Sequence, residues 1–314
     1  MLYRLFIKFI RPLLHLVGVD LVWYRKESSS DAWQRLLPYV HRLTAFHPRT
    51  PTSSKEKIIW QFWWQGEDHA PAIVRRCMAS VREHADGWKV IVLDQTNVAE
   101  YIDVSPVIQE KHSRGAITHT HFSDYLRVKL LERYGGIWID ATVLLTDSIP
   151  EAIREAKFFM FKSSLWAISA EIPDSSVFVR TVETAANERL GGGSALGSSW
   201  FLSADKGSCL MSVVRQLIES YWEESGRLVD YYLLHKFMSL AVAYDDVCRR
   251  EFESAPCYVN VKPHLMQFGL NDQYADELPI LFRKHSFAHK LTYLRNGAFP
   301  EGSLGANLEQ KARA

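Results

Sequence analysis

The stretch from Ser123 to Thr146, SDYLRVKLLERYGGIWIDATVLLT, constrains this chain more than any other. Its pattern predicts a helix, a tight turn at Tyr134-Gly135-Gly136 and a buried strand over Ile137 to Leu145. Glycine ends the helix because it takes the left-handed cap position without a Cβ clash. The segment after it is β-branched and apolar, as a strand covered on both faces is. One acid, Asp140, interrupts that run. A carboxylate there is costly unless a cation or hydrogen-bond donors satisfy it. Asp124 and Arg127 stand three apart upstream and so share a helix face. Two acids and a guanidinium near one turn point to a site for a metal and a polar ligand.

The flanking segments give that site a setting. Lys57 to Trp64, KIIWQFWW, reads as a strand ending in aromatics. Pro71 starts a helix to about His84, with proline in its first turn. Trp88 to Leu93 is a second strand, followed by Asp94. Strand, helix and strand at this spacing predict a βαβ unit and a parallel sheet with covered faces. Ligands of such sheets sit beyond the carboxyl ends of the strands. Trp63, Asp94 and Asp140 all fall at or near such ends. Further strands are expected at Phe158 to Phe161, Leu165 to Ile168 and Ser199 to Ser203. Helices are expected over Asp31 to Phe46, Ser208 to Glu224 and Leu228 to Ala243, with a loose polar tail after Pro300. Gly191-Gly192-Gly193 lacks the setting of a dinucleotide fingerprint.

Composition excludes some partners. A formal net charge of +1 argues against nonspecific nucleic-acid binding, which needs a basic surface. The four cysteines are far apart without CxxC spacing, so reduced thiols are expected rather than a zinc site or a disulfide framework. Met1 to Trp23 is apolar, with Arg4, Lys8, Arg11 and His15 recurring at helical spacing. Such a stripe suits peripheral contact with an anionic membrane face, and equally a helix packed on the protein or on a second subunit. Charge interrupts it too often for a good membrane span. The chain therefore divides into an N-terminal helical segment over 1–50, a linker rich in Pro, Ser and Thr, a main domain over 57–295 and a tail over 300–314.

Single residues leave alternatives open. Asp140 is either a divalent-metal ligand or an acid capping a loop. Asp124 with Arg127 also reads as a surface ion pair, Asp94 as a loop opener, and Trp63 as core. His235 and His289 are either ligands and acid-base groups or structural histidines.

Taken jointly, KIIWQFWWQGEDHAPAIVRRCMASVREH, WKVIVLD and HFSDYLRVKLLERYGGIWIDATVLLTDSIP resemble the capsular polysaccharide synthesis proteins of glycosyltransferase family 32. Relatives of that family carry the motif SDxxRxxxLxxxGGxYxDxD. The resemblance runs from Lys57 to about Lys290 and includes SSWFLSA, DYYLLH and AHKLTYL. It implies an α/β, A-type glycosyltransferase fold, with a mixed central sheet, a Rossmann-like nucleotide-binding core and flanking helices. It implies sugar transfer from a nucleotide donor, with Mn2+ or Mg2+ and retention of configuration. Trp63 would lie against the nucleobase, with Asp94 also on the donor side. Asp124 and Arg127 would hold donor-sugar hydroxyls. Asp140 is the first acid of the family's Asp-x-Asp pair, which touches ribose and metal. The second acid is replaced by Thr142, whose neutral hydroxyl is a weaker ligand for a hard cation. His289 would add a late metal or diphosphate contact. Asp230 lies where related folds place an acid near the donor sugar, which makes Asp140 and Asp230 the catalytic candidates.

The expected function is glycosyl transfer in bacterial capsular or surface polysaccharide synthesis, at the cytoplasmic face of the membrane. The donor would be a nucleotide sugar, UDP-linked by preference, and the acceptor a glycan or lipid-linked glycan. The missing second acid motivates an alternative, a degenerate member that binds a nucleotide sugar or glycan as a scaffold. A glycoside hydrolase also uses paired carboxylates but does not explain the βαβ setting.

Overall fold

The computed structural model describes residues 29–43, 55–163, 196–260, 262–274, 282–293 and 298–312. The expected features at residues 1–23, Leu165 to Ile168 and Gly191 to Gly193, and most of the linker, lie outside them.

The core is a five-stranded mixed sheet in the order β2-β1-β3-β6-β5. These strands are β1 (Ile58–Phe62), β2 (Lys89–Leu93), β3 (Gly136–Ile139), β5 (Phe158–Lys162) and β6 (Gly197–Ala204). β1 pairs in parallel with both β2 and β3. β6 runs antiparallel to both β3 and β5. The expected βαβ unit is present, with helix α2 (Ala72–Glu83) as its crossover. β4 (Val143–Leu145) belongs to a second, two-stranded sheet, antiparallel to β7 (Ala288–Lys290).

This arrangement corrects the single strand expected over Ile137 to Leu145. The run breaks at Asp140-Ala141-Thr142, where the Val143 amide donates back to the Asp140 carbonyl at 3.0 Å. The apolar residues on both sides are buried in either case, so hydrophobicity does not mark the break. Asp140 thus stands at a strand end and not within a strand.

Beyond the short helix α3 (Pro106–Ser113), helix α4 (His119–Tyr134) carries the Ser-Asp-x-x-Arg segment and packs against α5 (Cys209–Glu224), β3 and β6. Nearly its whole circumference is covered, which is why its sequence lacks a clear polar face. Thr118 caps its first turn and Gly135, at φ 70°, ends it. Gly136 follows at φ 100°, and a Cβ there would lie 2.5 Å from the Ile58 carbonyl oxygen. The double glycine therefore lets β3 enter hard against β1 directly after a helix.

Other differences have local causes. Helix α1 (Ser29–Leu43) places Trp33, Leu36 and Val40 in the same apolar cluster as α5 and α6 (Leu233–Tyr244), so this core begins before Lys57. α6 starts at Leu233 and not at Leu228, because the Asp230 carboxylate accepts from the Tyr232 amide and holds a turn. After α7 (Asp246–Glu253), the polar tail forms a helix, α8 (Leu304–Lys311), capped by Ser303. Leu304 and Leu308, one helical turn apart, bury against the cluster that includes Ile73 and Met78 of α2. None of the four cysteines forms a disulfide, and Cys209 and Cys248 face each other as buried thiols at 3.3 Å.

Candidate active site

Asp140 sits at the carboxyl end of β3, at the edge of the three mutually parallel strands. Its amide donates to the Trp200 carbonyl of β6 at 2.8 Å. One carboxylate oxygen, Oδ1, accepts from Trp138 Nε1 at 2.9 Å and lies 3.3 Å from Arg127 Nη2. The other, Oδ2, accepts from Lys290 Nζ at 2.7 Å. The same ammonium donates to Thr142 Oγ1 at 2.6 Å. Burial pushes the Asp140 carboxyl up, but Lys290, Arg127 and the Trp138 indole outweigh it and hold it below the usual range.

Arg127 organises the other half. It is 3% exposed and spans from α4 to β6. Nη1 donates to both the carbonyl (2.8 Å) and the hydroxyl (2.7 Å) of Ser199. Nη2 donates to Ser123 Oγ at 2.9 Å, and Nε to the Ser123 carbonyl at 3.2 Å. Asp124 Oδ1 lies 3.4 Å from Nη1. Asp124 is thus the less well-paired acid of the two. Burial raises its carboxyl to about 7, with Arg127 opposing and Asp140 adding to the rise. The site therefore holds one firmly ionised acid beside one that exchanges its proton near neutrality.

That difference predicts a pH effect. A carboxyl with a raised folded-state value stabilises the fold fully below its unfolded value, near 4, and loses this as pH rises through about 7. Asp124→Asn removes the titration. The variant should gain stability relative to wild type between pH 4 and pH 7.5, by on the order of 3 kcal/mol. Urea denaturation across that range measures it. A constant difference between the two proteins would mean that Asp124 does not titrate in this window.

The structure thus brings Asp124, Arg127, Asp140 and Thr142 into one cluster. Trp63 lies near the same end: it packs against the cluster containing Ala141 and Leu144, and its ring meets Tyr293 edge-on at 5.2 Å. Asp94 closes its own turn, with Oδ1 accepting from the Thr96 amide and hydroxyl and the Asn97 amide. Its Oδ2 faces the Gly66 loop. Asp230 pairs with Lys236 at 3.7 Å and caps the turn before α6. Its neighbour Tyr231 is 60% exposed, and the charges of Asp124 and Asp140 act on it. His235, in the first turn of α6, is held neutral at about 4 by burial and by the Arg127 charge.

His289 does not face Asp140. Its Nε2 lies 3.1 Å from Thr146 Oγ1, and burial lowers its value to about 4. Side chains alternate along β7, so the next residue, Lys290, reaches the acid instead. Sequence reasoning missed Lys290, Trp138 and Ser199. Reading HKLTYL as a strand would have separated His289 from Lys290. Among the described residues, the close group of potential metal ligands is Cys209, Asp245 and Cys248, none of which belongs to this cluster.

Mixed sheet, βαβ core and acid at the carboxyl end of β3 define a protein of the A-type glycosyltransferase architecture. The family model described as "Capsular polysaccharide synthesis protein" matches residues 32–299. The chain belongs to that family. It is also similar to the O-glycosyltransferase braB of Annulohypoxylon truncatum, 32% identical over 141 residues, covering 42% of this chain and 30% of the relative. Glycosyltransferase afumC of Aspergillus fumigatus is 33% identical over 107 residues, covering 31% and 27%. O-glycosyltransferase PaGT of Phomopsis amygdali is 33% identical over 110 residues, covering 32% and 27%. The chain spans less than a third of the length of these relatives.

Proposed function

We propose that the protein is a glycosyltransferase that moves a sugar from a nucleotide-sugar donor to a glycan acceptor in surface polysaccharide synthesis. The observation that carries this reading is the Asp124–Arg127–Asp140–Lys290 cluster at the carboxyl end of a parallel βαβ core. Family membership and the names of the similar proteins support it. Carboxylates of this kind accept sugar hydroxyls, and the fixed cations favour the negative charge that grows on a departing diphosphate. Holding donor and acceptor together supplies much of the remaining rate. Trp63, at the same end, suits a nucleobase, with a uridine donor preferred. Transfer proceeds with retention of the anomeric configuration.

The test is release of UDP or GDP by purified protein from a panel of nucleotide sugars with glycan and lipid-linked glycan acceptors. Absence of release from every donor, with and without Mn2+, sinks the reading. Nucleotide binding without release would favour a scaffold instead.

Among the described residues no helix is long and apolar enough to cross a membrane. The basic stripe on the apolar stretch 1–23 supports peripheral contact with the anionic cytoplasmic membrane face. Deleting residues 1–23 should move the protein from the membrane to the soluble fraction after sedimentation. An unchanged distribution assigns that stretch to packing.

A further inference from the structure

The residues at Asp140 do not fit a hard divalent cation. Mg2+ and Mn2+ favour several oxygen ligands with carboxylates prominent among them. Here both oxygens of Asp140 are engaged, Oδ1 by Trp138 and Arg127 and Oδ2 by Lys290. Thr142 stands where a second acid would be, and its hydroxyl accepts from Lys290 as well. A metal ion seated between Asp140 and Thr142 would displace the ammonium and stand close to the Arg127 guanidinium. Charge points the same way. Two acids already face two cations within 3.4 Å. No excess negative charge remains to draw a divalent ion.

We infer that Lys290 occupies the metal's role: its ammonium, held by Asp140 and Thr142, is the cationic contact for the donor diphosphate, and the site works without a divalent ion. The inference rests on the glycosyltransferase reading above. An ammonium has three N–H donors. Two are spent on Asp140 Oδ2 and Thr142 Oγ1, which fixes the position of the nitrogen. The third is left for a phosphate oxygen, and the side chain, 21% exposed, has access to one. In the transfer, the bond between the anomeric carbon and the diphosphate oxygen breaks with its electron pair going to the diphosphate. The acceptor oxygen bonds to the anomeric carbon, and the acceptor proton passes to the departing diphosphate. Lys290 contributes its charge and its third N–H to the departing diphosphate. Thr142 follows from this: a second carboxylate would not be needed where one acid and a hydroxyl suffice to orient a monovalent cation.

Two measurements on the full chain test the inference. The first is Mn2+ alone, titrated by electron paramagnetic resonance. Wild type should show no binding tighter than about 1 mM. Micromolar binding that Asp140→Asn abolishes overturns the inference, whatever nucleotides do. The second is calorimetry with UDP and with GDP in EDTA. Affinity should match that in Mn2+, fall by about 10- to 100-fold in Lys290→Met, and be largely restored in Lys290→Arg. Thermal melting establishes that the variants are folded. Nucleotide binding that requires Mn2+, or that Lys290→Met leaves intact, overturns the inference while the glycosyltransferase reading stands. If neither nucleotide binds wild type under any condition, the glycosyltransferase reading fails and takes this inference with it.

Discussion

Asp140→Asn should lower sugar transfer by about 10^3-fold while the protein remains folded. Asparagine keeps an oxygen for the Trp138 indole and fills the same volume. What it removes is the charge between Arg127 and Lys290, which lie 3.3 Å and 2.7 Å from the carboxylate. Those two cations would then repel, and Lys290 would lose the partner that aims it. The carboxylate side chain is 22% exposed, so water softens the loss. A fall in melting temperature of less than about 8 °C is expected. Steady-state transfer and a thermal melt on the same preparation separate the two effects. Wild-type turnover in this variant would remove Asp140 from the site.

Arg127→Lys should be the costlier change for the fold. The guanidinium is planar and serves Ser123, Ser199 and two acids at once, from a position 4% exposed at its side chain. Lysine keeps the charge but has three donors on one atom and cannot reach along both α4 and β6. The Ser199 carbonyl or the Ser123 hydroxyl would be left buried and unpaired. Loss of about 3–5 kcal/mol is expected, read as a shifted urea midpoint, with transfer down by at least about 100-fold. An unchanged midpoint would show that the charge alone, and not the fork of donors, holds the two elements together.

The parts of this site legible in the sequence are those coded locally. The helix, the double glycine and the acid after it occupy one continuous stretch, so spacing alone placed Asp124, Arg127 and Asp140 near each other. The β1–α2–β2 unit was legible for the same reason. The break after Asp140 was not, because Val143 to Leu145 is as apolar as Gly136 to Ile139, and only pairing tells the two sheets apart. Lys290 was hidden by distance. It lies 150 positions from Asp140, and its place depends on the β4–β7 register, which no local pattern encodes. Ser199 was within a predicted strand, but its role follows from β6 lying beside β3. The helix at Leu304–Lys311 could have been read from Ser303 and the two leucines one turn apart; the polar residues between them masked it.

The switch of one strand run from the central sheet to the small one has a consequence for assembly. Arg127 and Asp140 belong to the first half of the chain and are set by α4 and β3. Lys290 arrives only when β7 pairs with β4. A chain still being synthesised, or one clipped before residue 282, holds the acid with a single cation beside it. Charge balance at the site therefore requires β7, the last strand among the described residues, to be docked on β4.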